Sequence, residues 1–80
     1  MFFTYILKSE KDYKYYFGST DNIEKRLSEH NNGKVASTKN RRPFKLHYSE
    51  VFNTRKEAIR KELFFKKRSG YKCLRERNII

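Results

Sequence analysis

The chain has no tryptophan, one cysteine, one proline and three glycines in its 80 residues. With Cys73 alone, an internal disulfide and a multi-cysteine zinc site are both excluded. Cys73 lies near Lys72 and Arg75, which favour a thiolate, but a lone cysteine reads first as packing. No long apolar run is present, and the basic segments lack a wide apolar face, so neither a membrane span nor an inserted surface helix is expected. The opening MFFTYILKS has no positive start and no small-residue cleavage site, so it does not read as a signal peptide. A cytoplasmic, reducing environment is the expectation. Repeats and low-complexity tracts are absent.

Acids are scarce as well, nine against 20 Lys and Arg, a net charge of +11. The surplus is uneven. Residues 1–33 carry as many acids as bases, whereas residues 34–45 hold Lys34, Lys39, Arg41, Arg42 and Lys45 with no acid. A fold does not require that asymmetry, but a polyanion exploits it by releasing counterions, so nucleic acid is the leading partner. What the chain does have is rings: seven Phe and six Tyr. A domain this small buries only about 60–65% of its unfolded surface, so each ring matters to the core. Six tyrosines exceed what packing alone explains.

The length predicts a single domain, 1–80. FFTYILKS reads as a buried strand, EKDY as a turn, and KYYFGS as a second strand ending at Gly18, the two pairing as a hairpin. Symmetric pairing would set Tyr5 opposite Tyr16 on one face. Asp21 is the expected cap of a first helix, with Glu24 completing a box-like pattern, Ile23 and Leu27 as its apolar stripe, and Asn32-Gly33 as its stop. After a basic loop to Pro43, FKLHYSEVF predicts a third strand. Thr54 and Glu57 form a capping box for a helix over 55–67 with Ala58, Ile59, Leu63 and Phe65 inward, broken by Ser69-Gly70 before a last helix over 71–77. The order ββαβαα predicts an α+β fold: a small three-stranded antiparallel sheet flanked by two to three helices.

Arg26 and His30 are four apart, so they share one helix face about 6 Å apart. Glu62 lies near the buried boundary of the second long helix, where an unpaired carboxylate is costly. Tyrosine, Arg or His, and Glu are the parts a phosphodiester cleavage site needs: an activator for the nucleophile, a cation for the phosphate, and a carboxylate for a hard metal.

With Phe3-Thr4-Tyr5, Tyr16-Phe17-Gly18, the Arg26/His30 pair, the tract KVASTKNRRPFKLHY and Glu62 in that order, the chain resembles the GIY-YIG nuclease superfamily, especially its small stand-alone bacterial members and the N-terminal domain of the repair excinuclease. The resemblance covers nearly the whole chain. It implies a DNA endonuclease of repair or recombination that uses one divalent metal, Mg2+ with Mn2+ as substitute. Glu62 would bind the metal, Arg26 would stabilise charge on the phosphate, and Tyr5 or Tyr16 would help deprotonate the attacking water with His30 as relay. Gly18 is carried over as a position where a side chain would crowd the site. Phe3 and Thr4 replace the motif's glycine and isoleucine, and Asn78 is the one late asparagine available.

Other readings of the same residues stay open. Without the family, Arg26 and His30 are solvated surface, Glu62 is a partner for Lys66, Tyr5 and Tyr16 are core rings, and His47 is a strand residue without a role. Lys34, Ser37, Thr38, Lys39, Arg41 and Arg42 are expected to contact phosphates, or else to be solubilising surface. A non-catalytic nucleic-acid-binding module with a decayed site is the main alternative, and a charged protein serving a protein partner is the third. Specificity would come from a homodimer or a partner protein.

Overall fold

In the computed structural model, which describes residues 1–80, strands β1 (Phe2–Ser9), β2 (Tyr15–Thr20) and β3 (Phe44–Phe52) form one antiparallel sheet in the order β2-β1-β3. Helix α1 (Ile23–Asn31) follows β2, and α2 (Arg55–Phe65) and α3 (Arg68–Glu76) follow β3. The architecture is the expected α+β arrangement of a three-stranded sheet with three helices. No helix is long and apolar enough to cross a membrane.

Strand alternation divides the core in two. Tyr5 and Leu7 point to one face, where Phe44, Tyr16 and Leu27 of α1 close over them. Ile6 points to the other face and packs with Phe65 of α2 and Leu74 of α3, flanked by Phe17 and Tyr48. Helices on both faces explain why Thr4, Tyr5, Ile6 and Leu7 are buried in an unbroken run. Burying a ring such as Phe65, which is 0% exposed, contributes about 1.5–3 kcal/mol. Thr4 donates its hydroxyl to the Ala58 carbonyl at 2.6 Å and so fixes α2 on the central strand.

Several expectations change in the structure. The hairpin register is shifted by two residues: Tyr5 faces Gly18 and Leu7 faces Tyr16. A shift of two keeps every side chain on its face, so Tyr5 and Tyr16 still share one side. β2 runs on to Thr20, which moves the helix start, and Asn22 rather than Asp21 caps α1 by accepting from the Lys25 amide. Ile23 and Leu27 are only half-buried, and the one buried residue of α1 is His30. In α2 the capping box forms, and Ala58 and Phe65 face inward. Ile59 and Leu63, however, are 40% and 54% exposed. The inner stripe between Ala58 and Phe65 is filled by Lys61 and Glu62 instead, both half-buried. Ser69 and Gly70 do not break a helix but lie inside α3. Gly70 is there for close approach, since a Cβ on it would stand 1.9 Å from the Phe64 carbonyl oxygen.

Candidate active site

The site begins with a chain of buried polar groups. The Tyr5 hydroxyl is 3.2 Å from His30 Nε2, and His30 Nδ1 is 2.8 Å from Thr38 Oγ1. Tyr5 is 2% exposed and both partners 0%. One proton arrangement satisfies all three groups: Tyr5 donates to Nε2, Nδ1–H donates to Thr38, and the Thr38 hydroxyl donates to the Val35 carbonyl at 3.4 Å. Burial, and then the positive charge of Arg26, lower the His30 pKa to about 4, so the imidazole is neutral at pH 7 and free to accept from Tyr5.

Local sequence explains why a histidine is tucked under the sheet. Gly33 adopts φ 74°, its amide bonds the His30 carbonyl at 3.2 Å, and the Lys34 amide bonds the Glu29 carbonyl at 3.0 Å, a Schellman stop directly after His30. Asn31 then accepts from the Phe44 amide at 2.7 Å and donates to the Phe44 carbonyl at 3.1 Å, clamping the end of α1 to β3.

Tyr5 lies over Gly18, where a Cβ would come within 2.4 Å of its hydroxyl oxygen. The phenol thus occupies the volume that glycine leaves empty. Burial raises the Tyr5 pKa; Arg26 works against that, while Tyr16 and the charge of Glu62 add to it. The half-buried Tyr16 ring stands 6.4 Å from that of Tyr5 and 4.9 Å from His30, centroid to centroid. The Arg26 guanidinium lies beside the Tyr5 hydroxyl, while its one full hydrogen bond goes to Glu29 at 3.2 Å. Its side chain is 36% exposed, on a groove that passes Ser19 and Thr20 towards Arg55.

Tyr5, Tyr16, Arg26, His30 and Gly18 therefore converge on one face of the sheet. Glu62 belongs to α2, in the layer behind the other face. Its carboxylate influences Tyr5 through charge alone, and its direct partner is Lys66 at 2.7 Å. No group of three His, Cys, Asp or Glu side chains gathers as a metal cage. A single carboxylate, 17% exposed, still suits Mg2+, which typically takes one or two carboxylates and completes its shell with water and substrate phosphate.

The basic loop divides. Lys34, Ser37, Lys39 and Arg42 are exposed, and Arg42 Nε donates to the Lys39 carbonyl at 2.7 Å. Arg41 is held against Asp12 at 2.8 Å and over the Phe44 ring, and it pins the β1–β2 turn. Thr38 has no surface from which to meet a phosphate; it orients His30 instead. Sequence reasoning missed that role, and only a hydroxyl shortly after the helix stop could have signalled it. Asn78 sits at φ 57° just past α3, where its amide and that of Ile79 bond the Arg75 and Leu74 carbonyls, so it ends that helix. His47 bonds the Ile79 carbonyl and packs on Tyr15 at 5.0 Å, tying the C-terminus to β3.

Sheet order, helix layers and the Tyr–Tyr–Arg–His cluster together define a small α+β module with a polar cluster on one face of its sheet. The GIY-YIG catalytic domain model matches residues 1–75, and the chain belongs to the GIY-YIG family. A UPF0213 protein of Bacillus licheniformis is 53% identical over 66 residues, covering 81% of this chain and 67% of that protein. A UPF0213 protein of Staphylococcus saprophyticus is 45% identical, covering 91% of this chain and 89% of the relative. The solution structure of the UPF0213 protein BH0048 from Bacillus halodurans matches with a TM-score of 0.55 and 31% identity, over 95% of this chain and 84% of that one.

Proposed function

We propose that the protein is a divalent-metal-dependent DNA endonuclease, a single catalytic module acting in repair or recombination. The observation that carries this reading is the ordered chain from Tyr5 through His30 to Thr38, with Arg26 beside the phenol, in a protein of the GIY-YIG family. Arg26, half-buried at the edge of its groove, pairs with the scissile phosphate and stabilises the charge that grows on it. That pairing has a second effect. Arg26 is one of the charges that keep His30 unprotonated, so a phosphate that neutralises it makes His30 a better proton acceptor. The attacking water then gives its proton to the phenol oxygen of Tyr5 while the phenol proton passes to His30 Nε2, and Thr38 keeps Nδ1–H engaged throughout. Tyr16, the more exposed of the two tyrosines, orients that water at the site's mouth. Glu62 would hold Mg2+ or Mn2+, whose chemistry there is to polarise the phosphate and stabilise the departing oxygen. Exposed Lys34, Ser37, Lys39 and Arg42 extend the contact along the strand.

Magnesium-dependent nicking of a supercoiled plasmid tests this. Loss of nicking in Arg26→Ala and Glu62→Ala, with folding retained, supports it; wild type that never cuts DNA in Mg2+ or Mn2+ refutes it. One feature favours a second reading, a non-catalytic DNA-binding module: Glu62 shares no hydrogen bond with the cluster and is engaged by Lys66. Salt-dependent DNA binding that is unchanged in Glu62→Ala, without cleavage by wild type, would select that alternative.

A further inference from the structure

The turn joining β1 to β2 holds a residue that the fold does not explain. Tyr13 has φ 60°, in the left-handed region where glycine or asparagine is favoured, and the residue is 70% exposed. The turn does not need the ring. Ser9 and Lys14 pair through their backbones at 2.9 Å, the Tyr13 amide bonds the Ser9 carbonyl at 3.0 Å, and Ser9 Oγ accepts from the Lys11 and Asp12 amides. Arg41 anchors Asp12 from outside. A strained backbone thus presents an unburied aromatic surface that returns nothing to stability. Around it the charge is positive. Tyr13 lines a shallow groove with Lys8, Lys45 and His47, in which the one acid, Glu10, is already paired with Lys45 at 3.4 Å. Across the same turn, Lys11, Lys39 and Arg42 line a second depression that contains no acid.

We infer that this turn is a nucleotide-binding site separate from the catalytic cluster: Tyr13 stacks on an unpaired base, and the lysines and Arg42 take the flanking phosphates. Stacking needs an exposed ring face and tolerates any base, whereas in duplex the base faces are already occupied. The site therefore selects DNA with a single-stranded segment. Tyr13 lies in the turn that precedes β2, while Gly18 lies inside that strand, so a DNA strand reaching both sites has its unpaired part a few duplex steps from the cleaved bond. The proposal rests on the nuclease reading for the identity of the polymer, but not for its test.

The test uses Glu62→Ala protein without added metal, so cleavage plays no part. Affinities for a fluorescein-labelled 12-nucleotide single strand and for its blunt duplex are measured by anisotropy. Tyr13→Asn, well suited to the left-handed turn, should weaken single-strand binding about fivefold or more and leave duplex binding within twofold. Tyr13→Trp should retain single-strand affinity, and its indole fluorescence should be quenched on binding. Equal affinities of Tyr13→Asn and Tyr13 protein for the single strand, an equal loss on both DNAs, or an unquenched indole would overturn the proposal. A failed nuclease reading shows itself differently, as absent nicking by wild type.

Discussion

His30 is an ionisable group held neutral inside a small core, and this has a measurable consequence for stability. In the unfolded chain its pKa is near 6.5, and in the fold it is about 4. The folded value is depressed for a group whose protonated form is charged. The unfolded state therefore binds the proton first, and stability falls as pH drops from 6.5 towards 4. Linkage over these two values gives a loss of about 2 kcal/mol between pH 7 and pH 5, approaching about 3 kcal/mol below both. Urea unfolding at pH 7, 6 and 5 measures it, with His30→Gln as comparison. The variant should be less stable at pH 7, having lost the acceptor for Tyr5, yet its stability should change less between pH 7 and 5, by about 2 kcal/mol. Parallel pH profiles for the two proteins would refute the reasoning, because His30 would then titrate alike folded and unfolded. Asp12 does not confuse the reading. Arg41 holds its pKa at about 2, so its contribution is lost only as pH falls from 3.8 towards 2.

Three further substitutions follow from the packing and the proton chain. Thr38→Val removes the hydroxyl from His30 Nδ1 at nearly constant volume; the orphaned buried donor should cost about 1–3 kcal/mol and reduce turnover, while Thr38→Ser restores both, as read by denaturation and plasmid nicking. Gly18→Ala puts a Cβ 2.4 Å from the Tyr5 hydroxyl oxygen and should displace the phenol, abolishing cleavage while DNA affinity is largely kept; full activity would remove Tyr5 from the chemistry. Gly70→Ala meets backbone rather than a movable side chain and should cost at least about 3 kcal/mol in thermal or urea unfolding, with little effect expected if the α2–α3 junction were loose.

How far the sequence revealed these features depended on whether the signal was local. The third strand, Phe44–Phe52, was legible to its end residues because alternation and a preceding proline bound it. The Thr54–Glu57 capping box was legible because it too is a short-range pattern, a threonine with a glutamate three residues on. Register and helix faces were not. Tyr5 meets Gly18 because a four-residue turn closes at Ser9 and Lys14, which only the backbone bonds decide. Ile59 and Leu63 look like core by composition, but Lys61 and Glu62 occupy the inward stripe: Lys61 stays half-buried by lying over the Phe64 and Phe65 rings at 5.2 and 5.3 Å, with Glu50 nearby. At the site, spacing placed Arg26 and His30 on one face, but not which was buried. Thr38 was invisible as their neighbour because a loop, with no periodicity, brings it back under α1.

The placement of Glu62 has a bearing on how the proposed reaction is controlled. The other site groups lie on the α1 face and are already organised by Tyr5, His30 and Thr38. Glu62 comes from the opposite layer, is mostly buried, and has Lys66 against it at 2.7 Å. A divalent cation held by Glu62 would have to displace that ammonium, and no cluster of three His, Cys, Asp or Glu side chains is there to complete its shell. In the proposed reaction the remaining oxygens would come from water and from a substrate phosphate that also meets Arg26 at the edge of its groove. On the proposed reading the two ligands then bind with positive linkage, each raising affinity for the other. On that reading Glu62 would stay paired with Lys66 until a strand lies across Arg26, so the site would be complete only when the bond to be cut is already in place.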